Sequence, residues 1–531
     1  MNCGRTRTLG SNMMYAITAL TAVVVLLSSS TADAQISLHD IGRFQHEGPF
    51  DSGASEIVAY DPETQRLFVA NAALGTIDIL NIEDPTMPTL FRSISVVSLG
   101  LGKQPNYVAV HDGVVAAAIE ATIKQEPGRV AFFDPDGNLL NSVMVGALPD
   151  MLTFTPDGEK LLVANEGEPN ASCSVDPEGS VSIIDVSQDV EGITQADVIT
   201  AGFAAFNGTP LDPSIRSFAP NAAVFSLNAE PEYIAVSSDS RTAYVTLQEN
   251  NAIAVVDIDT GVVTHLHGLG YKDHNVAGSG LDASDRDTKI NIRLWPVQGM
   301  YQPDAIAAFG NYLVMANEGD VRDHSGCNEQ KRVGDADYIL DPTVFPNAAD
   351  LKKSANLGRL RVTKATGDTD GDGDYDVIHP FGARSFAIRD RLTGELLWDS
   401  GDQLEQITAA AYPKNFNSDH TANTFDTRSA SKGPEPEGLA VGEVDGIPYA
   451  FIGLERISGV VVYDISDPLN PVFVQYVNPR NFGDPTKGPA DDRGPEGVLF
   501  IEEGDSPSGR PLLVVANEVS GTTTIFEITT P

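Results

Sequence analysis

Positive charge is what this 531-residue chain has least of. It carries 34 Lys and Arg against 74 Asp and Glu, a formal net charge of −40. Such a surface repels nucleic-acid phosphates and anionic lipid headgroups and attracts cations, so nucleic acid is excluded as a partner. Cysteine is almost missing. There are 3, and Cys3 lies in the leader-like segment described next, which leaves Cys173 and Cys327. Long apolar runs are lacking except for one, Met13 to Leu27, which is short for a membrane span. It follows Arg5 and Arg7 and precedes the small-x-small site Ala32-Asp33-Ala34, so residues 1–34 read as a signal peptide and the mature chain is expected to start at Gln35. No cysteine stands directly after that run, no second run exists, and the closing Glu-Ile-Thr-Thr-Pro is expected to carry no anchor. The expectation is a secreted protein, extracellular or periplasmic, with no transmembrane segment in the mature chain. Motifs of the G-x-S-x-G, H-E-x-x-H and phosphate-loop kinds are absent, and His274, His324, His379 and His420 are scattered.

What is present is a repeat. Seven times an apolar strand ends in Ala-Asn-Glu or a near relative and is followed by a strand ending in Asp-Ile or similar. RLFVANAALGTIDILNI from Arg66, TAYVTLQENNAIAVVDI from Thr242 and LLVVANEVSGTTTIFEI from Leu512 show it. A shorter strand precedes each, such as PDMLTF from Pro149, PEYIAV from Pro231 and PEGVLFI from Pro495. The apolar period is two, Val, Ile, Leu and Phe dominate, and turn residues bound each run. Seven such units of short antiparallel strands predict an all-β, seven-bladed β-propeller over residues 35–531. Spacing beyond the usual blade of about 40 to 50 residues places insertions at about 267–300 and 320–434, the latter in blade five. The last repeat ends at Ile528 without an outer strand, and the strand-like segment Ile36 to Phe44 is expected to complete blade seven and cover its open edge.

Aligning the repeats gives two acidic stations. One holds Glu120, Glu166, Glu249, Glu318, Glu455 and Glu518. The other holds Glu56, Asp150, Glu232, Asp304, Glu437 and Glu496, with Asn106 in blade two. Equivalent stations on inner strands form rings around the channel of a propeller, where carboxylates must be protonated, solvated, paired or metal-bound. One reading is that they accept backbone hydrogen bonds between blades. The other is that Glu166, Glu318, Glu455 and Glu518 reach a cation or a substrate. Arg322, Arg384, Arg428, Lys432 and Arg456 fall near ring positions. They suit either binding of a phosphate or carboxylate or neutralisation of the ring acids.

A second acidic motif runs Asp368-Thr-Asp370-Gly-Asp372-Gly373-Asp374-Tyr-Asp376. Oxygen ligands at alternate positions, a glycine for the tight turn and a further carboxylate follow the logic of a calcium loop. His379 occupies the position where a helix–loop–helix hand has Glu, and the flanks GRLRVTK and YDVIHPFG read as strands. The prediction is a calcium-binding hairpin loop using Asp368, Asp370, Asp372, Asp374 and Asp376, with another divalent metal as the alternative ion. For Cys173 and Cys327, export permits a disulfide, but their blades are not neighbours, so free thiols stand beside it.

ANEGEPN, DPEGSVSIID, FGARSFAI, LWDSGDQLEQITA, KGPEPEGLAVG and FIGLERISGVVVYDI resemble the choice-of-anchor I family across the mature chain. That family includes mesenchyme-specific cell-surface glycoproteins linked to biomineral formation and bacterial members labelled alkaline phosphatase-like. The resemblance implies a secreted or surface propeller that binds cations and phosphate-bearing or mineral ligands. It also brings in the alternative of a metal-dependent phosphoester hydrolase at the channel mouth, with ring acids holding divalent ions and Arg384, Arg428 or Lys432 holding phosphate.

Overall fold

The computed structural model describes Met1 and residues 36–484 and 490–531. The expected leader and the segment 485–489 lie outside them. Seven four-stranded antiparallel sheets follow one another along the chain. Their first strands are Val58–Asp61, Gln104–His111, Pro149–Phe154, Pro231–Val236, Ile306–Phe309, Pro436–Val444 and Pro495–Ile501. This is the predicted seven-bladed propeller.

The two-residue period explains how the blades stack. In the second strand of blade one, Arg66–Asn71, Leu67 and Val69 pack with Leu512 and Val514 of blade seven. The alternate residues Phe68 and Ala70 pack with Val115 and Ala117 of blade two. Both faces of the strand are therefore buried, and polar alternation disappears from the middle strands while it persists on the outer ones. The outer strand Thr89–Ser95 is exposed over its first five residues.

The ring closes as predicted. Ser37–Gln45 pairs antiparallel with Thr522–Thr529, from Ser37 opposite Thr529 to Gln45 opposite Thr522. Ile36 and Leu38 enter the core formed with Phe526 and Ile528. The register shifts between Asp40 and Gly42, where a side chain on Gly42 would collide with the Pro85 carbonyl at 2.0 Å. The shift brings the closing strand against blade one.

The insertions differ from their predicted outline. The blade-five insertion is divided, because Ser385–Asp390 and Leu396–Asp399 are the third and fourth strands of that blade. One part lies between the second and third strands, and the other leads into blade six. The first part and the connection between blades four and five form a second apolar core around Trp295, Tyr338, Leu360 and Ile378. The flanks of the acidic loop pair with each other only briefly: Val362 and Pro380 form an isolated antiparallel bridge, and Thr363 N donates to the His379 carbonyl at 3.1 Å. The regular strand partner of Arg361–Thr363 is Gln330–Arg332. On the far flank Tyr375 bridges Leu340, and Ile378 enters this second core.

Cys173 and Cys327 form a disulfide. Their blades are not adjacent, but both cysteines sit on long loops that meet above the ring. There Gly326 N and Ser325 Oγ donate to the Ala171 carbonyl, each at 2.8 Å.

Arg384 ties the insertion together. Its Nη1 donates to Glu405 Oε1 at 2.9 Å and to the Asp282 carbonyl at 2.7 Å. Its Nη2 donates to the Ser429 and Ser431 carbonyls at 2.7 and 2.8 Å. Asp282, Glu405 and Asp426 are all buried here, and of the three carboxylates only that of Glu405 bonds the guanidinium. Burial, then Glu405, pushes Asp282 up to about 7. Burial likewise pushes Asp426 up to about 8, with Asp282, Asp287 and Glu405 adding to it.

Two predictions follow from closure and from this quartet. Deleting residues 36–45 unpairs the outer edge of blade seven, and the variant should unfold at a markedly lower temperature; an unchanged Tm would refute the closure. The second concerns pH. Carboxyls raised in the folded state contribute stability that is complete below the unfolded value of about 4 and is lost as pH rises through about 7 to 8. The chain should therefore lose stability as pH rises from about 4 to about 8 and level off above that. Asp426→Asn keeps the bond from Ser429 Oγ to Oδ1 and replaces the unpartnered Oδ2 with an uncharged NH2 donor beside the carboxyls of Asp282, Asp287 and Glu405. It should flatten that slope and raise Tm by about 2 °C at alkaline pH; a lower Tm there would contradict the assignment.

Candidate functional site

Pro-Glu, Pro-Asp and, in blade one, Ser-Glu at the start of the inner strands place a carboxylate against the channel in six of the seven blades. Glu56, Asp150, Glu232, Asp304, Glu437 and Glu496 stand there. Burial, then neighbouring carboxylates, lifts Glu56, Glu232, Glu437 and Glu496 well above the usual carboxylate range. Burial pushes Asp150 up to about 6 against the pull of Lys124, and burial with Asp150 pushes Asp304 up to about 7. Asn106, the one amide in the ring, donates instead to the Pro149 carbonyl of blade three at 2.9 Å. Next along the chain from Asn106 and Glu232, Tyr107 and Tyr233 meet hydroxyl to hydroxyl at 2.6 Å, so blades two and four touch past blade three.

The second ring lies beside the first. Glu318 joins both: its carboxylate lies within 4.8 Å of those of Asp304 and Glu437, and also of those of Glu435 and Glu455. Glu518 and Glu455 share His420, whose Nδ1 lies 3.0 Å from Glu455 and 3.9 Å from Glu518. Glu166 faces Asp150 and Glu249 and is held well above the carboxylate range, chiefly by burial. The Asn one position earlier bonds within its own blade, as Asn165 Nδ2 does to Ser182 Oγ at 2.9 Å and to the Ser180 carbonyl at 3.2 Å.

The cations are committed to acids. Lys432 Nζ reaches Glu318 Oε1 at 2.5 Å, Glu435 Oε2 at 3.1 Å and the Gly319 carbonyl. Arg456 spans Glu435 Oε2 at 2.9 Å and Glu455 Oε1 at 2.8 Å. Arg428 Nε donates to Glu435 Oε1 at 2.7 Å. Arg322 pairs with Glu230, and Arg216 with Glu329. Of the residues predicted for the mouth, Glu318, Glu437, Glu455, Arg428 and Lys432 gather in one place. Glu496 sits toward Glu56 and Glu518, as their mutual repulsion shows. Arg384 is spent inside the insertion.

Glu435 is the residue the sequence alone does not single out. It is fully buried, with its backbone at φ 54°. Burial works against its charge, yet Arg428, Lys432 and Arg456 hold it well below the carboxylate range. Glu435-Pro436-Glu437 and Glu230-Pro231-Glu232 share one pattern. The first Glu of each is an ion-pair anchor and the second is a ring acid. That doubled Glu-Pro-Glu is the signal that would have found both anchors.

The acidic loop forms two convergent sets, Asp368 with Asp370 and Asp376, and Asp341 with Asp374 and Asp376; in each, the carboxylate oxygens lie within 4.8 Å of one another. Asp341 was not among the predicted ligands. Gly371 N and Gly373 N donate to Asp368 at 2.7 and 3.1 Å. Asp372 accepts from Asp374 N at 3.1 Å and stands in neither set. Partial desolvation, then Asp372 and Asp341, pushes Asp374 up to about 6. His379 is buried and stacked on Tyr271 at 4.2 Å, away from a ligand role.

Among the described residues no helix is long and apolar enough to cross a membrane. The chain is similar to Gigasin-3a of Magallana gigas, 30% identical over 190 residues, which is 34% of this chain and 66% of that protein. It is also similar to the mesenchyme-specific cell surface glycoprotein of Strongylocentrotus purpuratus, 29% identical over 283 residues, which is 46% of this chain and 36% of that protein. The chain thus spans just under two thirds of the first relative and about a third of the second. Among solved structures it is similar to Kuenenia stuttgartiensis hydrazine synthase, with 13% identity, a TM-score of 0.46 and coverage of 92% of this chain and 98% of that one. The Cps50 (Swd1) β-propeller domain of Myceliophteria thermophila gives 10% identity, a TM-score of 0.45 and coverage of 93% of this chain and 100% of that one. The choice-of-anchor I domain matches residues 56–468, and the chain belongs to that family.

Proposed function

We propose that this propeller is a secreted or surface-associated calcium-binding protein, one that binds mineral or phosphate-bearing ligands through calcium. The observation that carries the reading is the acidic loop at 368–376. Its donors are all oxygens, they approach from both arms of the loop and from Asp341, and they converge within 4.8 Å. A hard cation with several oxygen ligands at about 2.3 to 2.6 Å suits that donor set. Calcium would be held by Asp368, Asp370 and Asp376, with Asp341 and Asp374 on the other side of Asp376. The cell-surface name of the sea-urchin relative and the family match support the surface location.

The hydrolase alternative needs a free cation to hold phosphate. Arg384, Arg428 and Lys432 each already hold a carboxylate, at 2.9 Å, at 2.7 Å and at 2.5 Å respectively. A phosphate would have to displace a buried acid from its partner, which is strongly unfavourable. The binding reading therefore stands ahead of the catalytic one.

Calcium should raise the Tm of the purified chain and protect residues 320–434 from protease, because a ligand that binds only the folded loop stabilises it by mass action. Asp370→Asn with Asp376→Asn should abolish the protease protection and leave the propeller folded by circular dichroism. Full protection in the double variant would overturn the loop assignment. Turnover of phosphomonoesters or diesters that depends on Glu318 would overturn the binding reading.

A further inference from the structure

We infer that the channel mouth is a second calcium site, independent of the acidic loop, held by Asp304, Glu318 and Glu437 with Glu455 beside them. These residues come from the inner strands of blades five and six and from the turns that follow their second strands. Two kinds of observation carry it beyond a cluster of acids.

The first is orphaned oxygen. Glu455 is 4% exposed. Its Oε1 meets His420 and Arg456, while its Oε2 is buried with no hydrogen-bond partner. Its carboxylate lies within 4.8 Å of that of Glu318, and it is the strongest of the charges acting on Glu437. Glu437 Oε2 is also buried and unpartnered. A buried oxygen without a donor costs free energy that a cation would recover.

The second is the charge count. Lys432, Arg428 and Arg456 balance Glu318, Glu435 and Glu455 one for one through the ion pairs already described. Asp304 and Glu437 remain, and no ion pair among the described residues reaches either. Two carboxyls without a cationic partner suit a dication. The donors are all carboxylate oxygens, which selects a hard ion over zinc or copper. Their oxygens lie within 4.8 Å of one another, close enough to share one ion with several oxygen ligands at about 2.3 to 2.6 Å. Lys432 and Arg456 then act as fixed counter-charges that hold Glu318 and Glu455 in position.

The test is equilibrium dialysis of the full mature chain against radiolabelled calcium chloride at mildly alkaline pH. In the Asp370→Asn, Asp376→Asn background the loop no longer contributes. One calcium per chain should remain, and adding Glu437→Gln or Asp304→Asn should weaken it by about tenfold or more. Melting in chelator separates ligation from a purely structural role. Glu437→Gln removes an unbalanced charge, so its Tm without calcium should equal or exceed that of the parent, while its calcium-dependent gain disappears. No calcium bound in the loop-deficient background would overturn the channel site while leaving the loop assignment intact. So would unchanged affinity in both ring variants, or a Glu437→Gln chain that is less stable in chelator yet keeps its calcium response.

Discussion

Carboxylates converging on one axis are the constraint around which the rest of this molecule is arranged. A propeller repeats one strand register seven times, so a side chain placed at the start of an inner strand in one blade recurs in the others and points at the same narrow space. Here six of seven such positions are acidic. Their mutual repulsion and burial lift them well above ordinary carboxylate behaviour, as Glu232 and Glu496 show. The insertions answer part of that charge. Lys432 and Arg428 come from the stretch that leads into blade six, and Arg456 from the turn after its second strand. All three meet on Glu435, the one acid at the mouth held firmly ionised.

The insertions have their own core, built around Trp295 and Tyr338. Arg384 joins their segments, and the Cys173–Cys327 bridge links them to blade three across blade four. The propeller supplies a rigid ring, and the insertion supplies both the counter-charges and the acidic loop. Any ligand at the mouth meets groups from both, which links order in the insertion to chemistry on the axis.

Blade number, ring closure and the ring stations were legible in the sequence because each rests on periodic local rules. Leu67 and Phe68 point to opposite faces of their strand wherever it packs, and Glu437 and Glu496 occupy equivalent stations by alignment alone. What was not legible depends on long-range contact through segments that do not repeat. Lys432 meets Glu318 across 114 positions, and Arg322 meets Glu230 across 92. The disulfide closes a separation of 154 residues, and only the reach of two loops over the ring makes it possible. Asp341 joins the acidic loop through its N–H, which donates to the Tyr375 carbonyl at 3.1 Å beside the isolated Leu340–Tyr375 bridge, a contact that no local pattern foretells.

Anomalous diffraction from crystals grown with a calcium surrogate such as terbium tests the electrostatic account most directly, since it locates the ion rather than its consequences. The account predicts a peak on the channel axis within ligand distance of Asp304, Glu318 and Glu437, together with a second peak at Asp368, Asp370 and Asp376. An axis without density, in crystals whose acidic loop or outer surface binds the ion, would show that the ring acids satisfy one another through shared protons and would contradict the account.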